Sequence, residues 1–332
     1  MVLARAASVA RPLSPPWQGA AAPVEAAGAA IMRPRMNTPP TPSGIETAPG
    51  PWWLRWVARL PLPWLRAAGA ALGAVLYLGA VRRRAVVHRN LALCFPQASP
   101  AQRRRWAWQT FCHFDQAFVD RVWLWHAPPA VITRRVRLEG AWAALSEPGP
   151  RLLFVPHFVG LDAAWSRMTL AFDRPWATLY APQSHPALDA WARRGRGRFG
   201  APRIVSRRDG VRGVVRALRE GAAVCLLPDM DLGAAQSVFV PFFGVPAATV
   251  TSLPRLAAAA HAPVIPVVAR LDAQGYRVWV GPAWADYPSG NDEADAARMN
   301  AELQRWIAET PGQYHWLHRR FKTRPPGAPG LY

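Results

Sequence analysis

Lysine is almost missing from this chain. Of 40 basic residues among 332, only Lys322 is a lysine and the rest are arginine. A phosphate-cradling G-x-x-x-x-G-K-[ST] loop is thereby excluded, because Lys322 stands in Phe321-Lys322-Thr323-Arg324 without the glycines such a loop needs. Cysteine is scarce as well. Cys94, Cys112 and Cys225 are odd in number, widely spaced and in no C-x-x-C pair, so neither a disulfide framework nor a thiolate zinc site is indicated and a reducing compartment is expected. No G-x-S-x-G elbow and no H-E-x-x-H occur, which removes the serine-hydrolase and zincin classes. Acidic residues number 20 against those 40 bases, and the formal net charge of +20 predicts attraction to a polyanion: nucleic acid, anionic lipid or an acidic protein. Total charge is low at 18%, while 51% of the chain is apolar and 17 residues are Trp, so disorder throughout is excluded and a sizeable core is expected.

Residues 1–50 carry nine prolines and no hydrophobic period, which predicts a disordered Pro/Ala-rich leader with no secretory signal. Met32 and Met36 stand near its end as alternative starts to Met1. Residues 51–84 change character. Ala67 to Val81 is a fifteen-residue apolar run closed by Arg82, Arg83 and Arg84, preceded by Trp52, Trp53, Trp56 and Trp64 interleaved with Arg55, Arg59 and Arg66. Fifteen residues fall short of the roughly 20 that cross a bilayer, and Trp with Arg suits a headgroup interface, so a monotopic or marginally spanning anchor is expected; a buried core helix is the alternative.

Residues 85–332 are expected to form a single α/β catalytic domain. Apolar positions three and four apart predict helix through residues 85–130. From Arg151 the rhythm alternates: strand-like RLLFVPHF, ATLY, PRIVS, AAVCLLPD, APVIPVVARL and YRVWVG are separated by helical DAWARR, DGVRGVVRALREG, TVTSLPRLAAAAH and EADAARMNAELQRWIAE. Such alternation predicts a mostly parallel sheet flanked by helices, and no internal repeat is present.

Four segments can carry chemistry. His157 should emerge at the carboxyl end of the buried strand Leu152 to Pro156, where open α/β sheets place their sites. Asp162 falls in the first turn of the next helix and can reach back to the imidazole, fixing its tautomer and leaving Nε2 as a base; the alternative is a histidine that caps that helix. Gly195 to Gly200 is a literal G-x-G-x-x-G, yet helical, charged sequence precedes it where a dinucleotide fingerprint needs a strand, so a flexible Arg-Gly turn is favoured. Asp229 and Asp231, after the strand AAVCLL, can hold a cation, pair with an arginine, contact substrate or cap their loop. Phe239, Phe242 and Phe243, broken by Pro241, Gly244 and Pro246, cannot form a regular helix and either line an acyl-chain groove or pack as core.

From about Val81 to Tyr332 the chain resembles the late, or secondary, lipid A biosynthesis acyltransferases of Gram-negative bacteria, within the lysophospholipid acyltransferase superfamily. The likeness lies in Asn90-Leu-Ala-Leu-Cys-Phe-Pro96, in the H-x-x-x-x-D of His157 and Asp162, in LPDMDLG and SVFVPFFGVPAAT, and in Met299-Asn300 and YHWLHRRFKTRPPG from Tyr314. It implies an inner-membrane protein whose catalytic domain faces the cytoplasm, moving a fatty acyl group from acyl carrier protein to a hydroxyl of a lipid A precursor. His157 would be the general base and Asp162 its orienting partner, with no metal or nucleotide cofactor. An Arg-rich surface suits an acidic carrier protein, a phosphorylated acceptor and membrane phospholipid. Many members carry an arginine where this chain has Ala181, in Tyr180-Ala-Pro-Gln-Ser-His-Pro186. Arg198, Arg207 and Arg208 are the candidates to replace it, beside Asp229, Asp231, Phe242 and Phe243 as substrate-binding residues. The rival readings are an acyltransferase acting on a lysophospholipid or ornithine lipid, a membrane-tethered nucleic-acid-binding protein, and an NAD-type oxidoreductase using Gly195 to Gly200.

Overall fold

Strand β2, Arg151–Phe154, is buried on both faces and runs parallel to both of its neighbours, as the unbroken apolar text RLLF requires of a central strand. It belongs to a computed structural model that describes residues 52–206 and 211–332. In chain order the described elements are α1 (Trp53–Val57), α2 (Leu62–Gly79), α3 (Val81–Cys94), α4 (Pro100–His126), α5 (Pro129–Arg135), β1 (Val136–Gly140), β2, α6 (Leu161–Ala171), β3 (Trp176–Tyr180), α7 (Pro186–Arg196), β4 (Arg203–Ser206), α8 (Arg212–Arg219), β5 (Ala223–Leu226), β6 (Ser237–Phe242), β7 (Val245–Val250), α9 (Ser252–Ala260), β8 (Val264–Asp272), β9 (Gly275–Val280) and α10 (Asp292–Glu309). The expected leader at 1–50 lies outside the described residues.

Seven strands form one sheet in the order β1-β9-β8-β2-β5-β3-β4, parallel throughout except for the antiparallel β8–β9 pair. The architecture is therefore α/β, with a mostly parallel sheet between helices, as the alternating text predicts. The sequence reading missed β1, whose residues VRLEG carry charge and little apolar alternation. It also left the phenylalanine segment without a structure. That segment is the hairpin β6–β7, turned at Phe243 and Gly244 with φ of +51° and +77°, the positive values that a two-residue primed turn demands.

Helix α4 spans 27 residues because both ends are signalled: Ser99 accepts a hydrogen bond from the Gln102 amide, Pro100 opens the first turn, and Pro128 stops continuation. Helix α2 lies on it by one face. A Cβ added to Gly69 or Gly73 would fall 2.5 Å from the Gln116 Cα or 2.6 Å from the Cys112 Cα, so only glycine permits this approach. At its root the buried Arg66 Nε donates to Asp120 Oδ2 at 2.7 Å, and Tyr276 Oη and Trp123 Nε1 satisfy the same carboxylate. Other positions of the helix are bare: Trp64, Val75 and Leu78 are 73%, 65% and 67% exposed, and Trp52 of the preceding segment 74%. The helix is thus neither a buried core helix nor a free-standing span. Among the described residues, it is the only one whose length and composition reach those of a membrane-crossing helix.

Candidate active site

The register of two adjacent strands places the central pair. Phe154 of β2 lies opposite Leu226 of β5, and three residues beyond each come His157 and Asp229, side by side at the carboxyl edge of the sheet. Asp229 is completely buried. Its Oδ1 meets His157 Nδ1 at 2.7 Å, while Oδ2 accepts from the His157 amide at 2.9 Å and from the Tyr314 hydroxyl at 3.0 Å. Burial alone would raise its pKa, but the His157 imidazole and these hydrogen bonds outweigh that and bring it down to about 2. An ionised carboxylate only accepts, so Nδ1 donates to it, and in the neutral imidazole the lone pair is then on Nε2. Nε2 has no partner among the described residues, and the side chain retains 22% of its exposure. The pair is built to take a proton from a group that approaches Nε2.

The expected contact between Asp162 and His157 is not made. Asp162 does stand in the first turn of α6, but its carboxylate points along the wall, where Arg121 Nε of α4 reaches Oδ2 at 2.8 Å and Arg196 Nε of α7 reaches Oδ1 at 2.7 Å. Burial pushes its pKa up and the two guanidinium groups more than reverse that, so it stays ionised. Helix geometry allowed the back-reach; two flanking arginines compete for the carboxylate, and a strand neighbour fills its place beside the imidazole.

His157, Asp162, Arg121 and Arg196 line one cavity of about 530 Å³, whose apolar wall includes Phe114, Phe118, Leu179 and Leu232. A smaller void of about 50 Å³ adjoins it at Asp162 and Leu179 and ends on Trp165, Met168 and Cys225. Both arginines reach Asp162 through Nε and stack over aromatic rings, Arg196 over Tyr180 and Arg121 over Phe118, and both line the cavity. Neither was singled out from sequence as a site residue. Arg196 sits inside the Gly195 to Gly200 motif, and nothing marks Arg121 among the helical arginines of α4.

The remaining candidates fall elsewhere. Gly195 ends α7 packed against Trp125, with no strand before it, so the dinucleotide geometry is absent. Asp231 turns away from Asp229: its carboxylate accepts from Thr323 and Gly233, and its amide donates to His318 Nε2. Arg198 donates to the carbonyls of Leu124 and Ala127 and does not reach the His157 cavity. Phe242 is fully buried against Phe321, and Phe243 packs on Phe95 and Trp316, so these two are core rather than groove. Arg207 and Arg208 lie outside the described residues.

The C-terminal segment closes the site from behind. Besides Tyr314 on Asp229, the His315 amide donates to the His157 carbonyl at 3.0 Å, and Asn90 Nδ2 of α3 donates to the carbonyls of Trp316 and His318 at 2.8 Å. The His315 ring lies 6.0 Å from the His157 ring, and desolvation together with its two histidine neighbours holds its pKa down to about 3, so it stays neutral. Asn300 Nδ2 of α10 and Arg320 both hold the β7 strand through Thr249 Oγ1. Blocks far apart in sequence, at 90–96, 157–162, 228–233, 299–300 and 314–323, thus converge on one crevice.

Comparison with known proteins agrees with that convergence. The sequence model of the bacterial lipid A biosynthesis acyltransferase matches residues 50–323. The lipid A biosynthesis palmitoleoyltransferase of Escherichia coli is 34% identical over 291 residues, covering 85% of this chain and 92% of the relative. The lauroyltransferase of the same organism is 33% identical over 295 residues, with 85% and 95% covered, and its myristoyltransferase 31% identical over 251 residues, with 74% and 76% covered. With the match running through every block that builds the crevice, the chain belongs to the bacterial lipid A biosynthesis acyltransferase family and is an acyltransferase.

Proposed function

We propose that this enzyme transfers a fatty acyl chain from an acyl carrier protein thioester to a hydroxyl of a lipid A precursor, with His157 as general base and Asp229 as its orienting partner. The observation that carries the reading is the His157–Asp229 pair on the floor of the 530 Å³ cavity, its Nε2 free, in a chain of this family. Nε2 takes the acceptor's hydroxyl proton as its oxygen attacks the thioester carbonyl. Collapse of the tetrahedral intermediate breaks the C–S bond, and the imidazolium returns the proton to the departing thiolate. Asp229 stabilises the imidazolium formed in between without taking a proton itself. Arg121 and Arg196, held by Asp162, stand where Ala181 leaves an arginine missing and bind a substrate phosphate. The void toward Trp165, Met168 and Cys225 takes the end of the acyl chain.

The net charge of +20 suits both an acidic carrier protein and a phosphorylated lipid. The bare face of α2 and the tryptophans of α1 seat residues 51–84 on the cytoplasmic face of the inner membrane, with residues 85–332 as the catalytic domain.

Mass spectrometry of lipid A from cells lacking the gene, complemented with wild type or His157→Ala, tests the whole reading. The deletion should lose the mass of one acyl chain and only wild type should restore it; in purified form His157→Ala should lose at least about 10⁴-fold in kcat/KM while remaining folded. Restoration by His157→Ala overturns the mechanism. Unchanged lipid A with another lipid losing an acyl group moves the activity to a lysophospholipid or ornithine lipid.

A further inference from the structure

A second cavity lies at the far end of α4, and it shares no lining residue with the catalytic one. It encloses about 370 Å³ between Arg55 of α1, Arg59 just beyond it, Trp125 and His126 at the end of α4, Pro128 and Arg198. A smaller pocket of about 150 Å³ shares Trp125 and His126 with it and reaches Trp191 and Arg194. No carboxylate lines either space, and Arg55, Arg59, Arg194 and Arg198 form no ion pair among the described residues. Uncompensated arginines crowded together repel one another and the imidazole between them. Accordingly His126 has its pKa lowered by burial and then by Arg198, Arg55 and Arg194. Such an arrangement favours an anion between the arginines.

Two details make the space a built site. Arg198 is pinned at the wall by its hydrogen bonds to the Leu124 and Ala127 carbonyls, so its charge is held without the entropy of a free side chain. His126 Nε2 accepts from the Trp191 indole N–H at 3.0 Å, and since an indole can only donate, the proton of His126 is on Nδ1, a donor with no partner among the described residues. The other wall is α1 with its flanking residues, where Arg59 stacks on Trp56 at 4.9 Å and Trp52, Trp53 and Trp56 are 74%, 51% and 61% exposed. Exposed indoles of this kind sit at the depth of lipid headgroups, and the bare face of α2 continues the same apolar surface.

We propose that this cavity binds the phosphate of an anionic phospholipid of the surrounding bilayer, apart from the catalytic cavity, and thereby fixes the enzyme's seat on the membrane. The proposal rests on the reading of α1 and α2 as a bilayer-facing surface, and it commits to a bilayer lipid because the cavity opens beside the exposed tryptophans rather than beside His157.

Flotation of the purified full-length enzyme with vesicles of phosphatidylcholine alone, or of phosphatidylcholine with phosphatidylglycerol, tests it. The variant is Arg55→Gln with Arg59→Gln; both side chains are exposed, so folding is not at stake. At about fivefold per arginine the pair should cost roughly 25-fold in partition onto the phosphatidylglycerol vesicles, while binding to phosphatidylcholine alone is retained through the tryptophans. Arg216→Gln with Arg219→Gln, exposed on α8 and outside the cavity, should cost less than about threefold, which separates a site from bulk charge. Turnover on detergent-dispersed acceptor should be unchanged by Arg55→Gln with Arg59→Gln. Equal losses for the two pairs overturn the proposal. So does a raised KM for the phosphorylated acceptor with vesicle binding intact, which would give the cavity to the acceptor. Wild type that binds neither vesicle instead overturns the bilayer-facing reading, and this proposal falls with it.

Discussion

The catalytic cavity holds two buried aspartates whose surroundings differ in kind. Asp229 on the floor is satisfied by an imidazole, an amide and a phenol, all groups that donate one hydrogen bond each. Asp162 on the wall is satisfied by two guanidinium groups that are charged at every accessible pH. Both pKa values are held down, but only the first carboxylate faces a partner whose charge can change during a reaction. The floor is therefore arranged to manage a proton and the wall to present fixed positive charge. Their 72- and 34-residue sequence separations from His157 and Arg196 show that the difference comes from tertiary placement, since both aspartates begin as a strand-end or helix-start acid.

Asp229→Asn breaks the floor most sharply. An amide can still meet Nδ1, but it no longer compensates an imidazolium and it permits the wrong tautomer, so kcat should fall by about 10³ to 10⁴ with KM nearly unchanged in steady-state kinetics. A loss below about tenfold would mean that the imidazole does not depend on this carboxylate. Asp162→Asn should act differently: KM for the phosphorylated acceptor rises by about 10- to 100-fold, kcat stays within about tenfold, and stability drops by about 3 kcal/mol because two partly buried guanidinium groups lose their counter-charge. Acid unfolding sharpens the same contrast. Because the folded pKa of Asp162 lies below its unfolded value near 4, its stabilisation is complete above about pH 4 and is lost as pH falls through the folded value, so in the variant this part of the acid dependence should be missing from thermal melts. Equal kcat losses for the two aspartate variants would erase the division between floor and wall.

How much of this was readable beforehand follows from the range over which each contact acts. The buried strands announced themselves because a parallel strand covered on both faces must be apolar along its length, as RLLF and AAVCLL are. His157 at a strand end was readable for the same reason. Its partner was not: Asp162 is near in sequence and sits where helix geometry permits a contact, whereas the choice of Asp229 depends on β2 and β5 being neighbours in a register that pairs Phe154 with Leu226. Alternating text predicts a parallel sheet but not its strand order. Arg196 lay within a glycine motif weighed only for nucleotide binding, and its role depends on α7 folding back over α6 so that its Nε meets Asp162. The β6–β7 hairpin was hidden because Pro241 and Pro246 occupy paired positions within it, and proline in a strand argues against strand.

Tyr314 gives the finest cut on the floor. Its hydroxyl is buried and donates to Asp229 Oδ2 at 3.0 Å, while its ring packs on Phe158 and Trp316. Tyr314→Phe keeps those ring contacts and removes one of three donors, so the fold should hold and the carboxylate should remain ionised near neutrality through the His157 amide and Nδ1. The cost is that of one hydrogen bond to a charged group, about 1 to 2 kcal/mol, hence roughly 5- to 30-fold in kcat. With that donor gone the Asp229 pKa must rise, so the acid limb of the kcat–pH profile should move upward as well. A mere packing role predicts lower stability with an unmoved acid limb. The upward shift would tie the C-terminal segment to the proton chemistry of a histidine 157 positions earlier in the chain, through one phenol and one carboxylate.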